Sequence, residues 1–222
     1  MAASVPDLIA EDLACSRGAR LVFTGLSFRL PPGGALLLTG SNGSGKTSLL
    51  RIVAGLLAPV AGRLAWGERL VSVELAAHRA RLHYVGHREA IKSALTPRET
   101  LSFWMALRGF SGARSAPAID RALVAVALER TADWPNRWLS AGQRRRLALA
   151  RLLAVPAPLW LLDEPMGTLD DDGRGRLEQM IVDHRADGGR LLLSTHAPSA
   201  LPGAQGLMLD DFSPDCDHLE RG

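Results

Sequence analysis

Residues 40–47 read Gly40-Ser41-Asn42-Gly43-Ser44-Gly45-Lys46-Thr47, which fits the phosphate-loop pattern GxxxxGK[ST]. The apolar run at residues 35–39 predicts a strand covered on both faces before this loop, and the apolar spacing of residues 47–56 predicts a helix after it. An ordinary glycine-rich turn is the alternative. Because the loop matches at every required position and in the required context, the pattern favours a phosphate-binding site.

The chemistry of this loop predicts nucleotide binding. Its glycines let the backbone curl so that N–H groups point at phosphate, and the start of the following helix adds a favourable potential. We therefore expect all eight residues of the loop, and Ser48 beside it, to contact a nucleotide. Lys46 would reach the β- and γ-phosphates and contribute to catalysis, and the Thr47 hydroxyl would be a ligand of Mg²⁺.

A second predicted strand, at residues 159–162, ends in the acids Asp163 and Glu164. A carboxylate at the end of such a strand holds Mg²⁺ in phosphate-loop NTPases, so Asp163 is predicted as a metal ligand. Glu164 is placed to polarise an attacking water and is predicted to be catalytic. Adjacent acids after a strand are also common in ordinary loops, but together with the phosphate loop they indicate ATP hydrolysis.

The pentapeptide Leu139-Ser140-Ala141-Gly142-Gln143 lies at the start of a predicted helix at residues 140–153. A serine and a glycine at a helix start can form an anion site, although the same residues are equally typical of a simple helix cap. The order of phosphate loop, pentapeptide and acid pair resembles that of ABC ATPases, whose signature is LSGGQ. The resemblance covers essentially the whole chain.

This resemblance implies a fold, a mechanism and further site residues. Two subunits are expected to sandwich two ATP molecules head to tail, so that Ser140, Gly142 and Gln143 of one subunit meet the γ-phosphate held by the other. Asp170 resembles the D-loop residue that lies near the nucleotide. His196, after the predicted strand at residues 191–194, resembles the catalytic switch histidine that contacts the γ-phosphate.

The sequence departs from the ABC pattern at two positions. Arg17 stands about where an aromatic residue usually stacks on adenine. A guanidinium can also stack on a flat base, and a plain surface charge is the alternative. His87 stands where the family has a glutamine near the metal. It could still hydrogen-bond to a water on Mg²⁺, or it could be a surface loop residue.

These departures and several other segments resemble the ATPase family of cytochrome c maturation. The segments are Cys15-Ser16-Arg17-Gly18, Tyr84-Val85-Gly86-His87, Ile91-Lys92, Leu95-Thr96 and residues 156–165. Membership would imply integral membrane partners of the CcmB/CcmC type, a role in heme export, and a peripheral position on the cytoplasmic face of the bacterial inner membrane.

Two other functions remain as alternatives. The chain could serve another ABC exporter, for a lipid or a drug, because a fold alone says nothing about cargo. A soluble ABC ATPase of DNA repair or of ribosomes is less favoured. The sequence has no heptad array like the coiled coils of the repair proteins, and it has one phosphate loop where the ribosomal proteins have two.

The alternation of buried strands and helices predicts an α/β phosphate-loop NTPase core with a mainly parallel sheet. Residues 21–30 predict an N-terminal antiparallel β portion. Residues 90–136, with helices starting at Thr96-Pro97 and spanning 118–130, predict an inserted helical lobe. The core would comprise residues 1–89 and 137–210, with a last helix at 175–186 and a loose acidic tail after Leu209.

Composition sets outer limits on these predictions. The chain has 222 residues, 47% of them hydrophobic and 22% charged, with a net charge of +3. This balance is ordinary for a globular protein. The short run Arg144-Arg145-Arg146 is taken as a solvated helix face, because three residues are too few to favour a nucleic-acid or lipid-headgroup contact. The two cysteines, Cys15 and Cys216, suggest no metal site.

The chain shows no signal-peptide pattern and no span of about 20 apolar residues, so membrane contact is expected through a partner.

Overall fold

The computed structural model describes residues 6–110, 115–195 and 201–214. Nine strands and six α-helices form within these ranges. The strands are β1 (Leu8–Arg17), β2 (Arg20–Leu30), β3 (Ala35–Thr39), β4 (Ala61–Trp66), β5 (Arg69–Leu70), β6 (Leu82–Val85), β7 (Leu159–Asp163), β8 (Arg190–Ser194) and β9 (Gln205–Met208). The helices are α1 (Lys46–Val53), α2 (Leu75–Ala80), α3 (Pro97–Leu107), α4 (Ser115–Ala125), α5 (Ala141–Ala154) and α6 (Asp171–Ala186).

A five-stranded sheet in the order β6-β7-β8-β3-β9 forms the centre of the molecule, and all of its neighbouring strands are parallel. Its side chains alternate between two cores, as the two-residue period of a strand requires. Trp160 and Leu162 join the core beneath α3–α6, whereas Leu159 and Leu161 join the core shared with α1 and the N-terminal strands. This confirms the predicted parallel sheet covered on both faces.

A second sheet of four strands, in the order β2-β1-β4-β5, is antiparallel throughout. It confirms the predicted N-terminal antiparallel portion. It also contains β1, β4 and β5, which the sequence pattern did not delimit. Phe23 and Leu26 of β2 are fully buried where this sheet packs against the central one. The hairpin of β1 and β2 therefore lies beside the phosphate loop.

Three predicted helix ends were wrong by several residues. Helix α1 ends at Val53 and not at residue 56, since Gly55 takes a left-handed backbone with φ +68°. Helix α4 ends at Ala125 and not at residue 130, with Ala127 at φ +52°. Helix α6 begins at Asp171, four residues before the predicted start, because Asp170 caps it.

The start of α3 is a capping box, as its sequence predicts. The Thr96 side chain accepts a hydrogen bond from the backbone N–H of Glu99, and the Glu99 carboxylate accepts one from the N–H of Thr96. The predicted loose tail is wrong for residues 210–214, since Leu209–Phe212 form a 3₁₀ turn and Leu209 is fully buried. None of the helices in the described ranges is long and apolar enough to cross a membrane.

Two histidines, the buried His83 and the half-buried His184, should make the folded protein less stable at acidic pH. Burial lowers the pKa of His83 to about 4, despite a 2.7 Å hydrogen bond to the Val155 carbonyl. Burial likewise lowers the pKa of His184, which stacks on Trp160, to about 4. In the unfolded chain both would titrate near pH ~6.5. Between these values the unfolded state binds more protons, so the free energy of unfolding decreases as the pH falls.

We expect the urea concentration at the midpoint of unfolding to decrease as the pH is lowered from ~6.5 to ~4. His83→Gln should reduce the slope of the free energy of unfolding against pH by roughly 1.4 kcal/mol per pH unit. Urea unfolding of both proteins at a series of pH values measures this. The slopes are compared, and not the absolute stabilities, because the exchange also alters packing. Identical slopes for the two proteins would contradict a buried neutral imidazole at this position.

Candidate nucleotide-binding site

The phosphate loop joins the end of β3 to the start of α1, as predicted. Gly40, Gly43 and Gly45 have φ of +134°, +89° and +109°, a region that side chains other than hydrogen rarely allow. A Cβ on Gly45 would lie 2.8 Å from a side-chain carbon of Val22 and 2.9 Å from one of Phe23. Gly45 is therefore needed both for its backbone and for the close approach of the N-terminal sheet.

Lys46 is folded back against the loop. Its side chain is buried, and Nζ donates hydrogen bonds to the carbonyl oxygens of Gly40 at 2.7 Å and Ser41 at 3.0 Å. Ser44 is also buried, and its hydroxyl has no hydrogen-bond partner. A buried hydroxyl without a partner is costly, so this loop fits an anionic ligand whose oxygens could accept from it.

Asp163 of the acid pair lies next to Thr47 of the phosphate loop, although 116 positions separate the two residues in sequence. The Thr47 hydroxyl donates to the Asp163 carboxylate, with oxygen–oxygen distances of 3.0 and 3.2 Å. Ser194, at the matching end of β8, donates to the same carboxylate at 2.8 Å. Hydroxyl and carboxylate oxygens are the donors that Mg²⁺ prefers, and it commonly takes one or two carboxylates plus substrate phosphates. The pair Thr47 and Asp163 therefore fits this ion.

Glu164 has an unusual backbone. Its φ is +48°, a left-handed conformation that costs on the order of 1–3 kcal/mol for a residue other than glycine. Two neighbours hold it there: its N–H donates to the Ser194 hydroxyl at 2.9 Å, and its carbonyl accepts from Arg145 at 3.0 Å. The strained residue is thus fixed just past the sheet edge, beside Asp163.

Arg145 was not predicted as a site residue, and its assignment to a solvated helix face was wrong. Its side chain is 3% exposed, and its guanidinium donates to the carbonyls of Gly86, Asp163, Glu164 and Pro165. Burial lowers its pKa, while nearby Glu89, Asp163 and Glu164 oppose that change. It clamps α5 to the acid pair and to the segment after β6, so it positions the acids without touching a reacting atom.

The pentapeptide forms the start of α5, with Leu139 buried and Ser140 and Ala141 exposed. Exposed Ser140 caps the helix: its hydroxyl accepts from the N–H of Gln143 at 3.1 Å, and the Gln143 side chain accepts from the N–H of Ser140 at 2.8 Å. A Cβ on Gly142 would lie 3.2 Å from the Thr168 carbonyl. In the described part of the chain no hydrogen bond joins these residues to the phosphate loop, and their contact with a nucleotide stays a prediction.

The remaining predicted residues are placed as follows. Exposed Asp170 caps α6 by accepting from the N–H of Gly173 at 2.9 Å. His196 lies outside the described residues. Exposed Arg17 is the last residue of β1. Burial raises the pKa of neighbouring Cys15, while the Ser48 hydroxyl and the Arg17 charge act to lower it. Stacking of Arg17 on adenine stays a prediction.

His87 and Glu164 line the same cleft. This cleft, of about 860 Å³, is lined by the segment after β6, the start of α5 and the turn after β7. Exposed His87 and half-buried Glu164 are both among its lining residues, together with Arg144 and Arg145. His87 therefore shares a cleft with the predicted catalytic acid, and its predicted role at the metal stays a prediction.

Comparison with known proteins adds to this geometry. The sequence model described as ABC transporter matches residues 23–167. A Cytochrome c biogenesis ATP-binding export protein CcmA from Rhodospirillum rubrum is 57% identical over 205 residues, which cover 92% of this chain and 86% of that protein. The protein of the same name from Paramagnetospirillum magneticum is 52% identical over 204 residues, covering 92% and 94%.

Solved structures show the same fold. A putative ABC transporter ATP-binding protein from Pyrococcus furiosus superposes with a TM-score of 0.82 at 21% identity, over 94% of this chain and all of that one. An ATP-binding subunit of an ABC transporter superposes with a TM-score of 0.78 at 25% identity, over 85% and 79% of the two chains.

Proposed function

Since this chain belongs to the ABC transporter family of ATPases, we propose that it is the ATP-hydrolysing subunit of an exporter for cytochrome c biogenesis. The contact between Thr47 and Asp163 is the observation that supports ATP hydrolysis, because it joins the phosphate loop to the acid pair at one edge of the sheet. The specific process is supported by the relatives from Rhodospirillum rubrum and Paramagnetospirillum magneticum, which are named as ATP-binding export proteins of cytochrome c biogenesis.

Each residue of the site has a role in this proposal. The phosphate loop and Ser48 bind the triphosphate, and Lys46 stabilises charge on the β- and γ-phosphates. Thr47 and Asp163 would hold Mg²⁺, which supplies charge neutralisation when bound. Glu164 orients and polarises the attacking water. Since catalysis of phosphoryl transfer is mostly positioning and electrostatics, the fixed backbone of Glu164 matters as much as its charge.

The exposed start of α5 supports a head-to-tail dimer. Ser140 is exposed and Gly142 and Gln143 are half-buried, and no hydrogen bond in the described part of the chain ties them to the subunit's own phosphate loop. We propose that they meet the γ-phosphate bound by a second copy. Asp170 would lie at the same interface, and His196 would contact the same phosphate.

We propose that His87 accepts a hydrogen bond from a water in the magnesium site. The glutamine that ABC ATPases usually carry can do the same through its side-chain oxygen. His87→Gln should therefore keep ATP turnover within about twofold, whereas His87→Ala should lower it roughly tenfold. Steady-state phosphate release measures this, with exposed Arg88→Ala as the control from the same cleft. Equal rates for all four proteins would show that His87 is only a surface residue.

The proposed partners are integral membrane subunits of the CcmB/CcmC type, with heme as the exported or delivered cargo. The chain would then lie on the cytoplasmic face of the bacterial inner membrane through protein contacts. An alternative ABC exporter, for a lipid or a drug, would share the whole nucleotide site.

Affinity purification from detergent-solubilised membranes tests this proposal. The tagged chain should recover integral subunits, and their identification separates cytochrome c biogenesis from lipid or drug export. Removal of those subunits should release the chain from membranes. If the purified chain pelleted with protein-free liposomes as well as with native membranes, partner-mediated binding would be contradicted.

A further inference from the structure

Asp210, which the sequence analysis placed in a loose tail, contacts the beginning of the phosphate loop. It follows β9, which pairs in parallel with β3, the strand that leads into the loop. Its neighbours hold it in place: Leu209 is fully buried, and Phe212 packs against the core shared with α1. Asp210 is therefore presented to the loop by an ordered turn and not by a free side chain at a chain end.

Two hydrogen bonds join Asp210 to Ser41, 169 residues away in sequence. The Ser41 N–H donates to one carboxylate oxygen at 2.8 Å, and the Ser41 hydroxyl donates to the other at 2.6 Å. The carboxylate also packs tightly on the preceding backbone, since a Cβ added to Gly40 would lie 2.9 Å from its oxygen. These hydrogen bonds, first the hydroxyl and then the N–H, and the Lys46 charge lower the pKa of Asp210.

The same two loop residues carry the carbonyls that bind Lys46. Nζ of Lys46 donates to the carbonyls of Gly40 and Ser41, and Asp210 holds Ser41 through its N–H and its hydroxyl. Holding Ser41 thus also fixes the oxygens that orient the lysine. A loop that is ordered before binding loses less conformational entropy when the ligand binds.

We propose that Asp210 is a positioning residue for nucleotide binding, acting through Ser41 on the phosphate loop and on Lys46. This inference rests on the nucleotide site proposed above. Asp210 would affect ATP affinity and not the chemical step, because it contacts neither the acid pair nor any reacting atom.

The negative charge of Asp210 has an opposite effect, because it repels phosphate. Water and salt screen an exposed charge, whereas hydrogen bonds to a carboxylate are roughly twice as strong as neutral ones. We therefore expect the fixing of Ser41 to dominate over repulsion. Variants of this one position separate the two effects.

Asp210→Asn removes the charge and can keep both contacts. Its side-chain oxygen can accept from the Ser41 N–H, and its amide can donate to the Ser41 hydroxyl, which is also an acceptor. Asp210→Ala removes the charge and both contacts. Neighbouring Asp211 is exposed and makes no hydrogen bond to Ser41, so Asp211→Ala is a matched control for charge.

The test measures binding of a fluorescent ATP analogue, and KM and kcat for ATP, in the purified full chain. Asp210→Ala should raise the nucleotide Kd and KM roughly tenfold, with kcat within about twofold of wild type. Asp210→Asn and Asp211→Ala should bind nearly as wild type. Without nucleotide, the midpoint temperature of thermal unfolding should change little in any variant. The increase in this temperature that ATP produces should be smaller in Asp210→Ala alone.

Three results would overturn the inference: tighter binding by both Asp210 variants, equal affinities for Asp210→Ala and Asp211→Ala, or binding by Asp210→Asn as weak as that by Asp210→Ala. If Asp210→Ala does not fold, Asp210→Ser serves instead. Its single short hydroxyl cannot replace both contacts to Ser41 and should weaken binding roughly threefold, and an unchanged affinity would also overturn the inference. Wild-type protein that binds no ATP would instead overturn the nucleotide site itself.

Discussion

Lys46→Ala should abolish ATP hydrolysis. The ammonium is the single fixed cation that the phosphate loop itself offers to the β- and γ-phosphates, and transition-state charge develops on the phosphoryl group. Removing one preorganised electrostatic contact typically costs a hundredfold or more in turnover, so we expect a loss of at least about a hundredfold. Phosphate release by the purified chain at saturating MgATP measures it.

Lys92 provides the matched control, because it is the other lysine of the chain. It is exposed, and its ammonium lies 5.2 Å from the ring centre of Phe103, away from the phosphate loop. Lys92→Ala should retain normal turnover in the isolated chain. Lys46→Ala also leaves the carbonyls of Gly40 and Ser41 without their donor, so its thermal stability without nucleotide must be compared with wild type. A folded Lys46→Ala protein with near-normal turnover would contradict the phosphate-loop assignment.

Local sequence predicted the parts of the site that local chemistry determines. The glycines of the loop, the acids after β7 and the capping box of α3 all depend on residues a few positions apart. The structure places Thr47 against Asp163 because the loop and the acids follow strands of one parallel sheet, whose carboxyl ends share an edge. That contact could be anticipated from the alternation of strands and helices.

The supporting residues could not be found in this way. Ser194 reaches Asp163 because β7 and β8 pair in the register that puts these two residues opposite each other. Asp210 reaches Ser41 through the pairing of β3 with β9, a short, mostly exposed strand with little apolar pattern. Arg145 resembles its half-buried neighbours Arg144 and Arg146 in sequence, and only the packing of α5 buries it fully. Strand register and helix rotation are set by tertiary packing, which single-sequence patterns do not specify.

Glu164→Gln should separate ATP binding from hydrolysis. Glutamine keeps the length and shape of the side chain, so it adds no steric strain at φ +48° and leaves the contacts of its backbone to Ser194 and Arg145 intact. It cannot take a proton from the attacking water or polarise it as a carboxylate does. Since such a group contributes typically a hundredfold or more, we expect turnover to fall by roughly that factor while ATP still binds.

The stalled protein should accumulate as an ATP-bound dimer. In the proposed head-to-tail arrangement, bound ATP joins the phosphate loop of one subunit to Ser140 and Gly142 of the other, and hydrolysis releases this contact. Gel filtration with MgATP should therefore show Glu164→Gln as a dimer and wild type mainly as a monomer. The exposed acid Glu178 of α6 gives the control, since Glu178→Gln removes the same charge away from the site and should behave as wild type.

A double variant shows whether the dimer depends on nucleotide in the phosphate loop. Lys46→Ala combined with Glu164→Gln should remain monomeric with MgATP, because the lysine that holds the phosphates is absent. A dimer of the double variant would mean that the exchange at Glu164 creates an interface unrelated to ATP. A Glu164→Gln protein that stays monomeric and still hydrolyses ATP at the wild-type rate would contradict the catalytic role of this acid. The strained backbone at residue 164 would then have to be explained by packing of the turn after β7 alone.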